Sequence, residues 1–178
     1  MSLDAISGAT NRKETKEHGY KSEVRALREE LNNLRRQVSY MMPGVLFSDP
    51  ANKRGTSAVT AWRVEAFTYA VRGLIESKAA AETAFTATTH DVAASKEAWF
   101  VLTIASGGAL TITKATDQTI GTKLLPQAPD NQVVVGYLGI VTNAGGIWDA
   151  STDDLADTVA NVDSVTFVDA PFVRAVNA

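Results

Sequence analysis

Cysteine is absent from this chain, so neither a disulfide framework nor thiolate chemistry is open to it. Histidine is nearly absent, with His18 and His90 alone, which leaves little material for a proton shuttle or an imidazole metal site. No apolar run approaches the roughly 20 residues that a membrane-spanning helix needs; the longest, VVVGYLGIV at 133–141, is far too short, and no membrane partner is expected. The opening MSLDAISGATNRKETKEHG lacks the basic-then-apolar pattern of a secretory signal, so export by a standard peptide is not expected. Phosphate-binding loops are missing too. GYLGIV at 136–141 lacks the required glycine spacing, and GTK at 121–123 has no upstream glycine.

The charges divide unevenly along the chain. Residues 1–56 carry ten basic and seven acidic side chains, whereas residues 57–178 carry seven and thirteen. An acidic body argues against a nucleic-acid surface, and the basic excess at 25–36 is interleaved with glutamates, as on a solvated helix face. No nucleic-acid partner is expected.

The most regular stretch is YKSEVRALREELNNLRRQVSYMMPG, residues 20–44. Tyr20, Val24, Leu27, Leu31, Leu34, Val38 and Met41 alternate in spacing by four and three, a heptad seam with Val24, Leu31 and Val38 at a and the others at d. Glu23 with Arg28, and Glu30 with Arg35, occupy the g and following e positions that meet on a parallel, in-register neighbour. These seven residues are the expected oligomerisation site. Mixed Val and Leu at a with Leu at d leaves two strands and three both open. At roughly 33 Å by the usual rise per residue, such a helix is marginal alone and needs partners. Pro43-Gly44 ends it.

The flanks read differently. Residues 1–19 form a polar arm, 20–42 the coiled-coil helix, 43–57 a linker with two prolines and two glycines, and 58–178 a β-domain. Within the linker, Val45-Leu46-Phe47 is a small apolar plug expected at the base of the body. In the body, FTYAV places Phe67, Tyr69 and Val71 on one face, and WFVLTIASGGALTITK gives two alternating runs about a glycine pair. A Ser106-Gly107-Gly108 loop sets Ile104 against Leu110, Leu102 against Ile112 and Thr103 against Thr111. A two-residue loop would mix the faces. ETAFTA, QVVVGYLGIVT and DSVTFVD read as further strands, with Gly136 and Gly139 marking bulges or close backbone approach. STDDLADTVANV reads as either a short helix or a loop. The expected fold is mainly β: an N-terminal α-helix forming a parallel coiled coil, then an antiparallel β-sandwich or barrel-like domain.

Chemistry finds little footing. His90 beside Asp91 is a turn histidine rather than a base with its orienter, because sequence neighbours seldom reach that geometry and no nucleophile elbow is present. Asp149, Asp153, Asp154, Asp157 and Asp163 are dense, yet their spacing does not match the calcium loop with its central Gly and terminal Glu. No metal, nucleotide or covalent cofactor is implied, and no enzyme activity is expected.

Phe85-Thr86-Ala87-Thr88 followed by His90-Asp91, Trp99-Phe100-Val101-Leu102, the Gly107-Gly108 hairpin ending in Thr113-Lys114, the Pro126 and Pro129 segment, and Val135-Gly136-Tyr137-Leu138-Gly139 carry a resemblance. The run 81–155 that holds them resembles the β-domains of tailed-bacteriophage virion structural proteins: capsid-decorating (cement), head-fibre and tail-fibre proteins. That resemblance implies a symmetric homo-oligomer, commonly a trimer, made in the host cytoplasm, placed on the virion, and binding the major capsid protein or other virion proteins. The short coiled coil favours capsid decoration over a fibre that contacts the host. A carbohydrate-binding module is the reading of another class, prompted by Trp62, Trp99 and Trp148, although tryptophans in alternating strands more often fill cores or subunit interfaces.

Overall fold

The computed structural model describes residues 20–34, 44–57, 60–156 and 159–171. The chain divides into two units, Met1–Met41 and Met42–Ala178. In the first, residues 20–34 form the helix α1, with Arg25 and Glu29 one turn apart and 3.6 Å from each other. The rest of the expected helix, including Val38 and Met41, lies outside the described residues, as does the arm 1–19.

The second unit is a sandwich-like body with ten strands among its described residues. They are β1 (Gly44–Leu46), β2 (Lys53–Arg54), β3 (Ala61–Val64), β4 (Phe67–Val71), β5 (Leu74–Lys78), β6 (Ala81–Ala84), β7 (Glu97–Ile104), β8 (Leu110–Lys114), β9 (Val133–Thr142) and β10 (Val162–Asp169). Three antiparallel sheets share one core, in the orders β1-β4-β5, β2-β3-β6 and β10-β9-β7-β8.

Alternation explains the faces. Phe67, Tyr69 and Val71 point inward from β4, and Phe100, Leu102 and Ile104 do so from β7, where they meet Leu138 and Ile140 of β9 and the aromatic rings of Trp62, Phe85 and Trp148. Phe85 stacks on Trp62 and meets Phe100 and Trp148 edge-on. The β7–β8 hairpin has the register its hydrophobic pattern demands: Ile104 opposite Leu110, Leu102 opposite Ile112, Thr103 opposite Thr111. Gly107 and Gly108 both take positive φ, so the turn closes at no steric cost. Glu76 on β5 then grips that turn, accepting from Ser106 Oγ at 2.7 Å, Gly107 N–H at 2.8 Å and the Tyr69 hydroxyl at 2.7 Å. Burial, reinforced by the Glu76 carboxylate, pushes the Tyr69 phenol up to about 12.

The stretch read as a linker is part of the body. β1 pairs with β4 and β2 with β3, so residues 44–54 already belong to the body. Leu46 is the buried member of the apolar plug, while Phe47 remains exposed. Strands of three and two residues are too short to show a period. One further expectation needs adjusting and one open alternative is decided. The strand read in ETAFTA stops at Ala84, freeing Phe85 to turn into the core, and the described part of 151–162 is turns without a helix.

Asn52, between β1 and β2, joins three parts of the body. Its Oδ1 accepts from Trp62 Nε1 at 2.8 Å, and its Nδ2 donates to the Val135 carbonyl at 3.0 Å and to Asp169 Oδ1 at 2.6 Å. Val135 is an extra residue in β9: Leu102 faces Gly136 and Thr103 faces Val134, so the register slips there. The bulge lets Val133 and Val135 turn inward on one side while Leu138 and Ile140 do so on the other. Gly136 makes room for the amide, since a Cβ there would stand 2.3 Å from Asn52 Nδ2. Gly136→Ala should therefore displace Asn52 and orphan the buried Trp62 N–H, costing about 2–4 kcal/mol, because each unsatisfied buried group costs roughly 1–3. Urea unfolding measures it: a lower midpoint at unchanged slope is expected, and an unchanged midpoint would refute the role of Asn52.

Candidate functional site

Most of the described residues that could carry chemistry are bound into the fold. His90 is buried, edge-on to Phe85 and Phe100, and its Nδ1 accepts the Thr86 N–H at 2.8 Å. Burial pulls its pKa below the usual imidazole value, against a hydrogen bond to the backbone of Ile112. Asp91 does not orient it. The Asp91 carboxylate accepts instead from the N–H groups of Thr88 at 3.1 Å and Ala150 at 2.9 Å. This is a neutral histidine locking a turn onto the core.

The aspartates likewise disperse. Asp149 accepts from the Ser151 N–H and hydroxyl, Asp153 caps the Asp149 N–H, and Asp154 pairs with Arg54 at 2.7 Å. Asp163 is exposed and Asp157 lies outside the described residues. Among the described residues, no three His, Asp or Glu side chains converge as metal ligands would, and no helix is long and apolar enough to cross a membrane.

Among the described residues, two apolar surfaces stand out. The first is the seam of α1, where Tyr20, Leu27, Leu31 and Leu34 are 71%, 64%, 49% and 52% exposed and Val24 is half-buried. These side chains share one face of a helix whose described residues are exposed almost throughout.

The second lies on the outer face of the four-stranded sheet. Trp99, Tyr137 and Val168 come from adjacent strands, because Tyr137 sits opposite both Val101 and Val168, and Trp99 opposite Gly139. Gly139 lets the indole lie across β9: a Cβ would approach the ring to 2.9 Å. The segment 115–132 runs over this face as a strap, which explains why Val101 and Thr103 are buried although they point away from the core. Backbone bonds between Glu97 and Gln118 hold the strap, as does Gly121 N–H donating to Glu97 Oε2 at 2.5 Å. Thr103 Oγ1 bonding to Gln132 Oε1 anchors its far end. Lys123 and Leu125 then face Trp99, Tyr137 and Val168 across a groove of about 210 Å³. The strap gives no periodic signal, so this groove is invisible in the sequence apart from Gly139. Trp62 and Trp148 are fully buried and cannot stack on a sugar, and the Trp99 N–H is already committed to Glu97 at 2.6 Å. No protein-family model, curated protein or solved structure matches the chain.

His90 generates a pH dependence. A histidine whose folded pKa is depressed gives stability that is complete above its unfolded value, about 6.5, and declines as pH falls below it. The depressed carboxylates, such as Glu76 and Asp149, act only below about 4.5. The urea midpoint of the body should therefore fall between about pH 6.5 and 5. In His90→Gln that slope should flatten; a slope equal to the parent's would contradict the assignment.

Proposed function

We propose that this chain is a non-enzymatic virion structural protein: a homotrimer, joined through the parallel seam of α1, that decorates a phage head shell and stabilises it. The exposed seam carries the reading of oligomerisation. Four large side chains of one face stand in water, and burying each is worth on the order of 2 kcal/mol, enough to drive assembly of a helix that is marginal alone. The virion setting rests on the resemblance of the run 81–155, and the choice of three copies rests there as well.

The body suits such a role. It closes its core within one chain, so each copy brings a finished surface to a shell. The polar arm 1–19 supplies a contact that orders on a partner, as its composition suggests.

Changing Leu27, Leu31 and Leu34 together to Ser removes three consecutive seam groups, each worth on the order of 2 kcal/mol when buried. Sedimentation should then show monomer, with the β-body still folded by circular dichroism. Binding of the parent to purified shells should saturate at a fixed number of copies and raise shell resistance to heat, since a ligand of the assembled state stabilises it by linkage. An oligomer that survives the triple change would assign assembly to the bodies. Full occupancy with no gain in shell stability would favour the host-contacting fibre.

A further inference from the structure

We propose that the turn 86–91 is an acid-opened latch: when His90 gains a proton, the turn swings away from the core while the strands beneath it stay paired. The inference stands on the geometry of the turn and does not need the oligomer.

The bolt of the latch is the bond from Thr86 N–H to His90 Nδ1, 2.8 Å long. Because Nδ1 accepts, the neutral ring carries its proton on Nε2, the nitrogen left to bond the backbone of Ile112. A protonated ring has a donor at both nitrogens, so an Nδ1–H would point at the Thr86 N–H. That bond is then lost. The ring has no other acceptor to turn to on its apolar side, where Phe85 and Phe100 stand edge-on with ring centres 5.5 and 6.0 Å away. Burial disfavours the proton most; of the charged groups that face the ring, Lys114 of β8 opposes it too and Asp91 of the same turn favours it.

The turn is also strained. Thr88 has φ of 63°, a left-handed conformation that a β-branched residue adopts only at a cost. Such strain persists where neighbouring bonds hold it, and here the Thr88 N–H is held by Asp91 Oδ2 at 3.1 Å and the His90 N–H by the Thr86 carbonyl at 3.0 Å. Once the ring lets go, relief at Thr88 favours the open form.

Opening carries Asp91 along. Its carboxylate releases the Ala150 N–H, held at 2.9 Å, and its carbonyl releases Lys114 Nζ, which keeps its pairing with Asp117. The movement ends one residue later, where Val92 and the fully buried Trp148 exchange two backbone bonds of 3.0 Å. What it uncovers is apolar: the ring edges of Phe85 and Phe100, which His90 now shields from water. The closed turn is complete above the ordinary imidazole value, about 6.5, and is lost as pH falls through the lower value of the folded ring.

In the full chain, NMR follows the His90 ring through its titration while hydrogen exchange follows four amides. Below the midpoint of the ring, Thr86 and Ala150 N–H should lose their protection. Trp148 and Thr142 N–H, bonded to the carbonyls of Val92 and Lys96, should stay protected at least about a hundredfold more strongly. Thr88→Gly removes the strain of the left-handed threonine, so it should slow exchange at Thr86 about fivefold above the midpoint and carry the midpoint itself to lower pH. Four amides that lose protection together would make the change a global unfolding, and a Thr86 N–H still protected beside a charged ring would leave the latch without its trigger. Either result overturns the proposal, as does a midpoint that Thr88→Gly does not move.

Discussion

The side-chain amide of Asn52, lodged where Gly136 has no Cβ, sets the geometry of the body. It satisfies the buried indole of Trp62 and the carbonyl of Val135, and it ties β10 in through Asp169. Val135 carries the bulge, and the bulge decides which residues of β9 face inward on either side of it. Were β9 regular, Val133 and Val135 would turn out to the side now occupied by Tyr137, and a one-residue slip would reverse every side chain beyond it. Beyond it β9 is regular, and Tyr137 stands opposite Val101 and Val168 on the outward side. A buried polar network of this kind is strong because every member is satisfied, and its weak point is the loss of any one.

The hairpin of β7 and β8 was legible in the sequence because two constraints agreed. The alternation of Leu102, Ile104, Leu110 and Ile112 and the left-handed glycines of the turn allow only one register. The close approach at Gly136 and Gly139 was legible too, although not what approaches them. Asn52 was not, because a polar residue between Pro50 and Lys53 looks like any loop residue until β9 and β10 come to it from far along the chain. β1 and β2 are short, and their pairing energy comes from β4 and β3 rather than from any local pattern. The strap was hidden for a different reason. It covers a face whose own residues, Val101 and Thr103, already satisfied the alternation as an outward side, so nothing local called for a cover.

Polar groups serve the fold throughout the body, while several large apolar groups stand in water. His90, Asp91, Glu76 and Asp149 each hold a turn, while many of the large side chains in water lie on the helix seam, the strap and the edge strand β5. The inference to a virion coat comes from the resemblance of the strands and turns. The inference to an oligomer comes from water-exposed leucines and stands without it.

Helix direction tests that oligomer most directly. A spin label on Ser22→Cys, in a chain otherwise free of cysteine, reports the distance between equivalent helix ends. Parallel, in-register helices hold these ends about one to two helix diameters apart, roughly 10–25 Å with the label arms. The account predicts a single distribution in that range. An antiparallel pairing centred on the seam separates the two labels along the axis by about 25 Å before the arms are added, and a distribution centred well beyond 30 Å, or no dipolar coupling at all, would contradict the account.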